Sequence, residues 1–262
     1  MKHKLITSLI ALYALSTAQA QISIDTTTPY TQNFDTLPFS TSAHVWASDP
    51  PAPDWEDNVT IPGWYGTGYN RDNDGTYTMF ISDGSTGGLS GSPTVTSFGL
   101  ANNTERSLGM IRQNSGTGFF GVRFVNDSAD TLTELAITFT AQQWRQGSAA
   151  GSMNFSYNVG ESLTLTSSGY TTVPLLGFTA LHTGSNAALN GNLEANSSVL
   201  SHTITGLDIN PGQEFWLRWS DSGTFQSQLA IDDLTVSAIP EPGTLVLLGI
   251  ALGTLALFRR RR

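Results

Sequence analysis

The sequence predicts an all-β protein, an antiparallel two-sheet β-sandwich of the jelly-roll or concanavalin-like kind. Apolar side chains recur at every second residue over long interior stretches, the period of a half-buried strand. Clusters of Gly, Asn and Asp punctuate those stretches. Between the two chain ends no segment holds a helical period. Cysteine is absent, so such a fold must be stabilised by packing rather than by disulfides.

The first 20 residues read as a signal peptide. Lys2 and Lys4 form a basic start, Leu5 to Leu15 is mostly apolar, and Ala18-Gln19-Ala20 is a small-x-small cleavage site. Signal peptidase would then leave Gln21 as the mature N-terminus. Residues 21–238 follow as one domain, long enough to bury a full core. This region carries six arginines and no lysine against twenty acidic residues, a net charge of −14 with histidines neutral. Nucleic-acid binding runs on Lys and Arg neutralising phosphates, so this balance excludes it. Acidity suits a secreted surface and the binding of divalent cations.

Trp46, Trp55, Trp64 and Tyr65 fall in a Pro/Gly/Asp-rich stretch with little strand pattern. A flat aromatic face with carboxylates and amides at its edge is the chemistry of sugar recognition, which makes these four the candidate glycan-binding residues. The same rings would equally pin long loops onto a sandwich. The acidic run Asp54-Trp55-Glu56-Asp57 lies among prolines 50, 51, 53 and 62 and reads as an exposed loop. Asn70, Asp72, Asp74 and Gly75 fit the first half of an EF-hand loop, but Ile81 stands where its bidentate glutamate belongs. A polar turn accounts for the same residues.

The strands follow in order. Thr76–Ser82 and Ser107–Gln113 are candidates, and Phe120, Val122 and Phe124 alternate with Gly121 and Arg123. Leu135, Ile137, Phe139 and Ala141 form one face of a long strand; Met153, Phe155, Tyr157 and Val159 form another. Val199–Ile209, Phe215–Ser220 and Leu229–Ser237 complete the set. Turn signals stand at Asp83-Gly84, Asn126-Asp127 and Asn210-Pro211-Gly212. The alternation puts Trp216 and Trp219 on opposite faces, and leaves Trp144 partly exposed beside Arg145. It also splits Asp232 from Asp233, placing one carboxylate on a less exposed face where it needs a partner. Arg218 or Arg123 would serve, and so would a structural calcium shared with Asp35.

Catalytic patterns are thin. His44, His182 and His202 lack a metal-site spacing, no G-x-S-x-G elbow occurs, and there is no thiol nucleophile. Two suitably spaced carboxylates alone can make a glycosidase, which keeps a hydrolase as the alternative.

After Pro240-Glu241-Pro242 comes an apolar run, Thr244 to Phe258, and then Arg259, Arg260, Arg261 and Arg262. Fifteen residues make a helix of roughly 22 Å, short against a hydrocarbon core of about 30 Å. The arginines belong on the cytoplasmic side, which places the domain outside. Residues 239–262 thus read as a tail with one short transmembrane helix. Motif, apolar run and basic end together resemble bacterial PEP-CTERM proteins. That resemblance implies recognition and removal of the tail by an exosortase, with transient anchoring in the inner membrane and final residence at the cell surface or in the extracellular matrix.

Two weaker resemblances concern the domain. Arg106-Ser-Leu-Gly, Phe120-Gly-Val-Arg-Phe-Val-Asn, Gln143-Trp-Arg, Phe215-Trp-Leu-Arg-Trp and Leu229-Ala-Ile-Asp-Asp-Leu-Thr-Val together resemble a recurrent secreted bacterial β domain without an assigned activity. Similar sequences carry Glu where this chain has Gln143, which removes an acid role there. Asn33-Phe34-Asp35 near the start and Asp232-Asp233 near the end resemble carbohydrate-binding jelly rolls, which implies the calcium site already raised. The expectation is an exported envelope or matrix protein, non-catalytic, structural or binding extracellular polysaccharide. The alternative is a secreted hydrolase acting on polysaccharide.

Overall fold

A computed structural model describes residues 21–45, 53–68, 76–85, 87, 93–111, 116–221 and 226–239. Both terminal signals, Trp46 and the EF-hand-like residues 70–75 lie outside the described residues.

The N-terminal strands are short: β1 (Ile22–Ile24), β2 (Tyr30–Gln32), β3 (His44–Val45), β4 (Asp54–Glu56), β5 (Trp64–Gly66), β6 (Thr76–Thr78) and β7 (Phe80–Ser82). Then come β8 (Thr94–Phe98) and β9 (Ser107–Ile111). Long strands take over with β10 (Gly118–Asn126), β11 (Leu132–Gln146) and β12 (Ser152–Val159). Three two-residue strands, β13 (Thr171–Thr172), β14 (Phe178–Thr179) and β15 (Ala187–Ala188), precede β16 (Ser197–Ile209), β17 (Glu214–Asp221) and β18 (Gln228–Ile239). The fold is all-β, with single 3-10 turns at Pro174–Leu176 and Glu194–Asn196.

One sheet has seven strands in the order β1-β10-β17-β12-β13, with β5 beside β10 and β14 beside β12. The other has nine, β15-β11-β18-β9-β8-β7-β3, with β16 beside β11 and β2 beside β18. Pairing is antiparallel except for β1 on β10 and β7 on β8, which are parallel. β4 and β6 make a separate ribbon.

The alternation explains the core. Phe120, Val122 and Phe124 from one sheet meet Leu135, Ile137 and Phe139 from the other, joined by Phe155, with Tyr157 partly buried against them. Trp219 sits at the centre. It stacks on Phe120 at 5.7 Å and Trp64 at 5.9 Å, and takes edge contacts from Phe139 at 5.6 Å and Phe155 at 5.1 Å. Trp216, on the other side of the same strand, lies against Tyr65 at 4.7 Å on the outer face.

Three expectations are corrected. Trp55 and Trp64 are fully buried and present no face to a ligand. Asp57 accepts the Trp55 indole N–H at 2.9 Å, and the Tyr30 hydroxyl accepts that of Trp64 at 2.9 Å. Their polar handles are satisfied inside the protein, so the Pro/Asp-rich surroundings hold a core rather than an exposed loop. Trp144 is buried too, stacked on Phe98 at 6.0 Å in a second small core with Phe80, Ile111 and Ala230. Its indole N–H reaches Ser107 Oγ at 3.0 Å and Gln142 Oε1 at 2.9 Å. The outer face of the nine-stranded sheet is covered here, which a period-two pattern does not reveal.

Candidate functional site

Two places gather polar chemistry. The first surrounds the β18 bulge. Thr138 faces Thr235 while Thr140 faces Asp232, so Asp233 and Leu234 stand opposite Phe139 alone. Asp233 takes φ 49°, the left-handed conformation that Asp tolerates better than most residues. Asp232 is buried, accepting the Asp233 N–H at 2.8 Å and Gln142 Nε2 at 3.2 Å. Burial, and then the charges of Asp233, Glu105 and Asp35, push its carboxyl up to about 8. Burial and the same aspartates Asp35 and Asp233 raise Glu105 as well.

Asp35 reaches this place through a strained turn. Phe34 sits at φ 59°, fully buried and edge-on to Trp64 at 5.0 Å. A left-handed phenylalanine costs of order 1–3 kcal/mol and persists because its packing over-determines it. Asp35 accepts Asn33 Nδ2 at 2.7 Å and the Arg106 N–H at 3.1 Å. The charges of Asp35 and Asp233 are felt at Asp232, and so is that of Glu105, which no pattern in the sequence singled out. Mutual charge repulsion is the chemistry of a cation site. The geometry stops short of one: each aspartate of this group with resolved bonds spends them within the chain, and among the described residues no three acidic or histidine groups are gathered as ligands. Neither expected arginine comes here. Arg123 pairs with Glu214, and Arg218 lies 3.5 Å over the Tyr170 ring and 4.7 Å over that of Phe119.

The second place is the outer face of the seven-stranded sheet. The segment after β12 folds back over it: Leu165 is buried, and a Cβ on Gly121 would meet Leu165 Cδ1 at 2.9 Å. Arg218 Nη1 ties the Leu165 carbonyl down at 3.1 Å. Beside this flap opens a cleft of about 470 Å³ lined by Arg123, Glu161, Ser162, Leu163, Thr164, Gly212 and Glu214. Glu214 Oε1 accepts both Arg123 Nη2 and Gln21 Nε2, while its buried Oε2 has no partner. Tyr65, half-buried against Trp216, flanks this group; burial raises its phenol and the neighbouring Arg123 lowers it. Of the four aromatics expected to meet a glycan, Tyr65 alone keeps exposed surface among the described residues. The sequence offered Arg123 as a partner for the aspartates of β18 and left Glu214 just outside its expected strand; their pairing needed the register Val125↔Glu214. Gln143 is structural: its amide bonds the Arg145 and His182 carbonyls and accepts the His182 N–H at 2.8 Å.

Comparison with known proteins adds the tail. Residues 238–262 match the family described as the PEP-CTERM protein-sorting motif. The motif begins on the last two residues of β18. No curated protein matches the chain in sequence. The sandwich resembles carbohydrate-binding modules. One is the CBM22-1 xylan-binding domain of Paenibacillus barcinonensis Xyn10C, at 10% identity and TM-score 0.37 over 68% of this chain and 87% of that one. Another is CBM28, specific for non-crystalline cellulose, at 12% identity and TM-score 0.33 over 72% and 97%. The K1 cleaved adhesin domain of Lys-gingipain from Porphyromonas gingivalis is similar at 14% identity and TM-score 0.31 over 81% and 99%. The chain thus joins an all-β sandwich to a protein-sorting motif at residues 238–262. Among the described residues no helix is long and apolar enough to cross a membrane.

Proposed function

We propose that the protein is exported, held at the inner membrane by its tail, cut there by an exosortase, and deployed in the cell envelope or extracellular matrix as a non-catalytic glycan-binding protein. The sorting motif joined directly to β18 is the observation that carries this reading. The cleft beside Tyr65 supports a saccharide ligand. A carboxylate oxygen accepts hydrogen bonds only, so the exposed Glu161 in the cleft lining calls for a hydroxyl or amine donor. The net charge of −14 disfavours polyanionic glycans, which points to neutral or amino polysaccharides. A structural calcium between Asp35, Glu105, Asp232 and Asp233 fits the charge of that group; binding it would require Gln142 or Asn33 to release a carboxylate.

A glycan array probed with and without calcium tests the reading, beside an assay of reducing-sugar release. Binding of neutral glycans, weakened roughly five- to 160-fold by Glu161→Ala with Thr164→Ala, is expected, since two lost hydrogen bonds are worth roughly 1–3 kcal/mol. Steady release of reducing ends would replace it with the hydrolase. Full-length protein accumulating in the medium with its C-terminus intact would defeat the processing claim.

A further inference from the structure

The edges of a β-sheet are where another chain can add itself, because half of the backbone N–H and C=O groups there point outward without a ladder partner. In this sandwich the edges are unequal. The seven-stranded sheet ends in β1, β5, β13 and β14, and the nine-stranded sheet in β3, β15 and β2, all of two or three residues. β16 is the exception. It runs 13 residues, pairs with β11 along one side, and has no strand on the other.

Among the described residues no second strand pairs with that side, and only the 3-10 turn Pro174–Leu176 packs on β16. No backbone bond outside the ladders reaches residues 198–208. Leu200 and His202, which face the core side, stay only half-buried, as they would beside an open edge. The usual devices that blunt an edge are missing as well. From Ser197 to Thr205 the strand has no Lys, Arg, Asp, Glu or Pro, and its composition favours extended pairing. A bulge interrupts the ladder only beyond that point, where Gly206 takes φ 70° and the register shifts.

Exposed apolar side chains gather along the same edge. Val199 is 70% exposed on the strand itself, and Leu193 is 54% exposed just before it. Leu181 joins them through the bond between His182 Nε2 and the Ala195 carbonyl, 2.7 Å. Leu175 projects from the 3-10 turn that packs on β16.

We propose that Ser197–Thr205 is a self-association edge, at which β16 of one molecule pairs antiparallel with β16 of a second copy and joins two nine-stranded sheets into one. The copy is the favoured occupant for a reason visible in the fold. Among the described residues, only another β16 offers a free edge of matching length, and antiparallel pairing about a two-fold axis lets one strand satisfy both sides. The segment is also uncharged apart from His202, in a domain whose net charge would otherwise keep copies apart.

Sedimentation of the full chain in detergent tests this. The mass of two chains is expected for the unaltered protein, and of one chain for Val199→Lys with Thr205→Lys, two exposed positions where lysine leaves the fold intact. Retention of the tail in both proteins separates edge pairing from association through the apolar run. Hydrogen exchange supplies the geometry: amides of residues 197–205 should gain protection as protein concentration rises, and lose that gain in the lysine variant. A single-chain mass for the unaltered protein overturns the proposal. So does a dimer that survives the lysines, or one without concentration-dependent protection at residues 197–205.

Discussion

Residues 22–82 and residues 118–239 build the same sandwich by different means. The later region is built on six strands of 8 to 15 residues whose alternation alone assigns their faces. The earlier region has strands of two or three residues, too short to show a period. It is fixed by single large side chains inserted among the long strands: Phe34, Trp55, Trp64 and Tyr77, all at 2% exposure or less. Backbone pairing carries one region and aromatic anchoring the other.

The sharpest test is the residue both regions share. Trp219→Ala should cost about 3–5 kcal/mol, read from the urea midpoint, because it removes contacts to Trp64 from the early region and to Phe120, Phe139 and Phe155 from the late one. Phe139→Ala, confined to the late strands and Trp219, should fall in the same range with the early region still protected from proteolysis. Early-region cleavage in that variant would mean that aromatic anchoring is not independent of the long strands.

An effect of comparable size is expected from the acidic group that joins the two regions. The Asp232 carboxyl, raised from 3.8 to about 8 in the fold, binds its proton more tightly folded than unfolded. Without a cation, the contribution of Asp232 to stability should be fully present below about pH 4 and be lost as pH rises through about 8. Millimolar calcium should offset part of that loss, by ~2.7 kcal/mol at one hundred times its dissociation constant. Asp232→Asn should flatten the pH profile and remove the calcium gain; a magnesium control reads selectivity. No calcium-dependent shift in melting temperature would leave these aspartates as ordinary hydrogen-bonded acids.

The smallest effect isolates one anchor. Asp57 accepts both the Trp55 indole N–H and the Gly66 N–H, each at 2.9 Å. Asp57→Ala should cost about 1–3 kcal/mol by leaving two donors without an acceptor. Trp55→Phe in that background should recover part of the loss, since it removes one of the orphaned donors.

How much of this was legible follows the same division. The strand expected at Ser152 to Val159 has those bounds in the structure, and Phe120, Val122, Phe124, Leu135, Ile137, Phe139 and Phe155 share one core, with Tyr157 packed against it only partly buried. Thr76–Ser82 became two strands with separate partners, β6 on β4 and β7 between β3 and β8. Composition misled around Trp55 because its acids look like solvent-facing groups, whereas Asp57 turns inward to serve a buried ring. The approach of Asp35 to Asp232 was suggested by residue type at the two ends of the domain. Glu105 was invisible, because nothing local marks a side chain that matters only through residues far away in sequence.

The exit of the chain has a mechanical meaning. β18 is an interior strand, hydrogen-bonded to β11 on one side and to β2 and β9 on the other, and only Pro240–Gly243 separate it from the apolar run. Four residues span at most roughly 14 Å, so the tether is short. A load on the tail pulls β18 lengthwise, in shear, and its ladder bonds must give way together instead of peeling one at a time. On the proposed reading, the domain would thus hang from an interior strand that resists a lengthwise pull along its whole ladder.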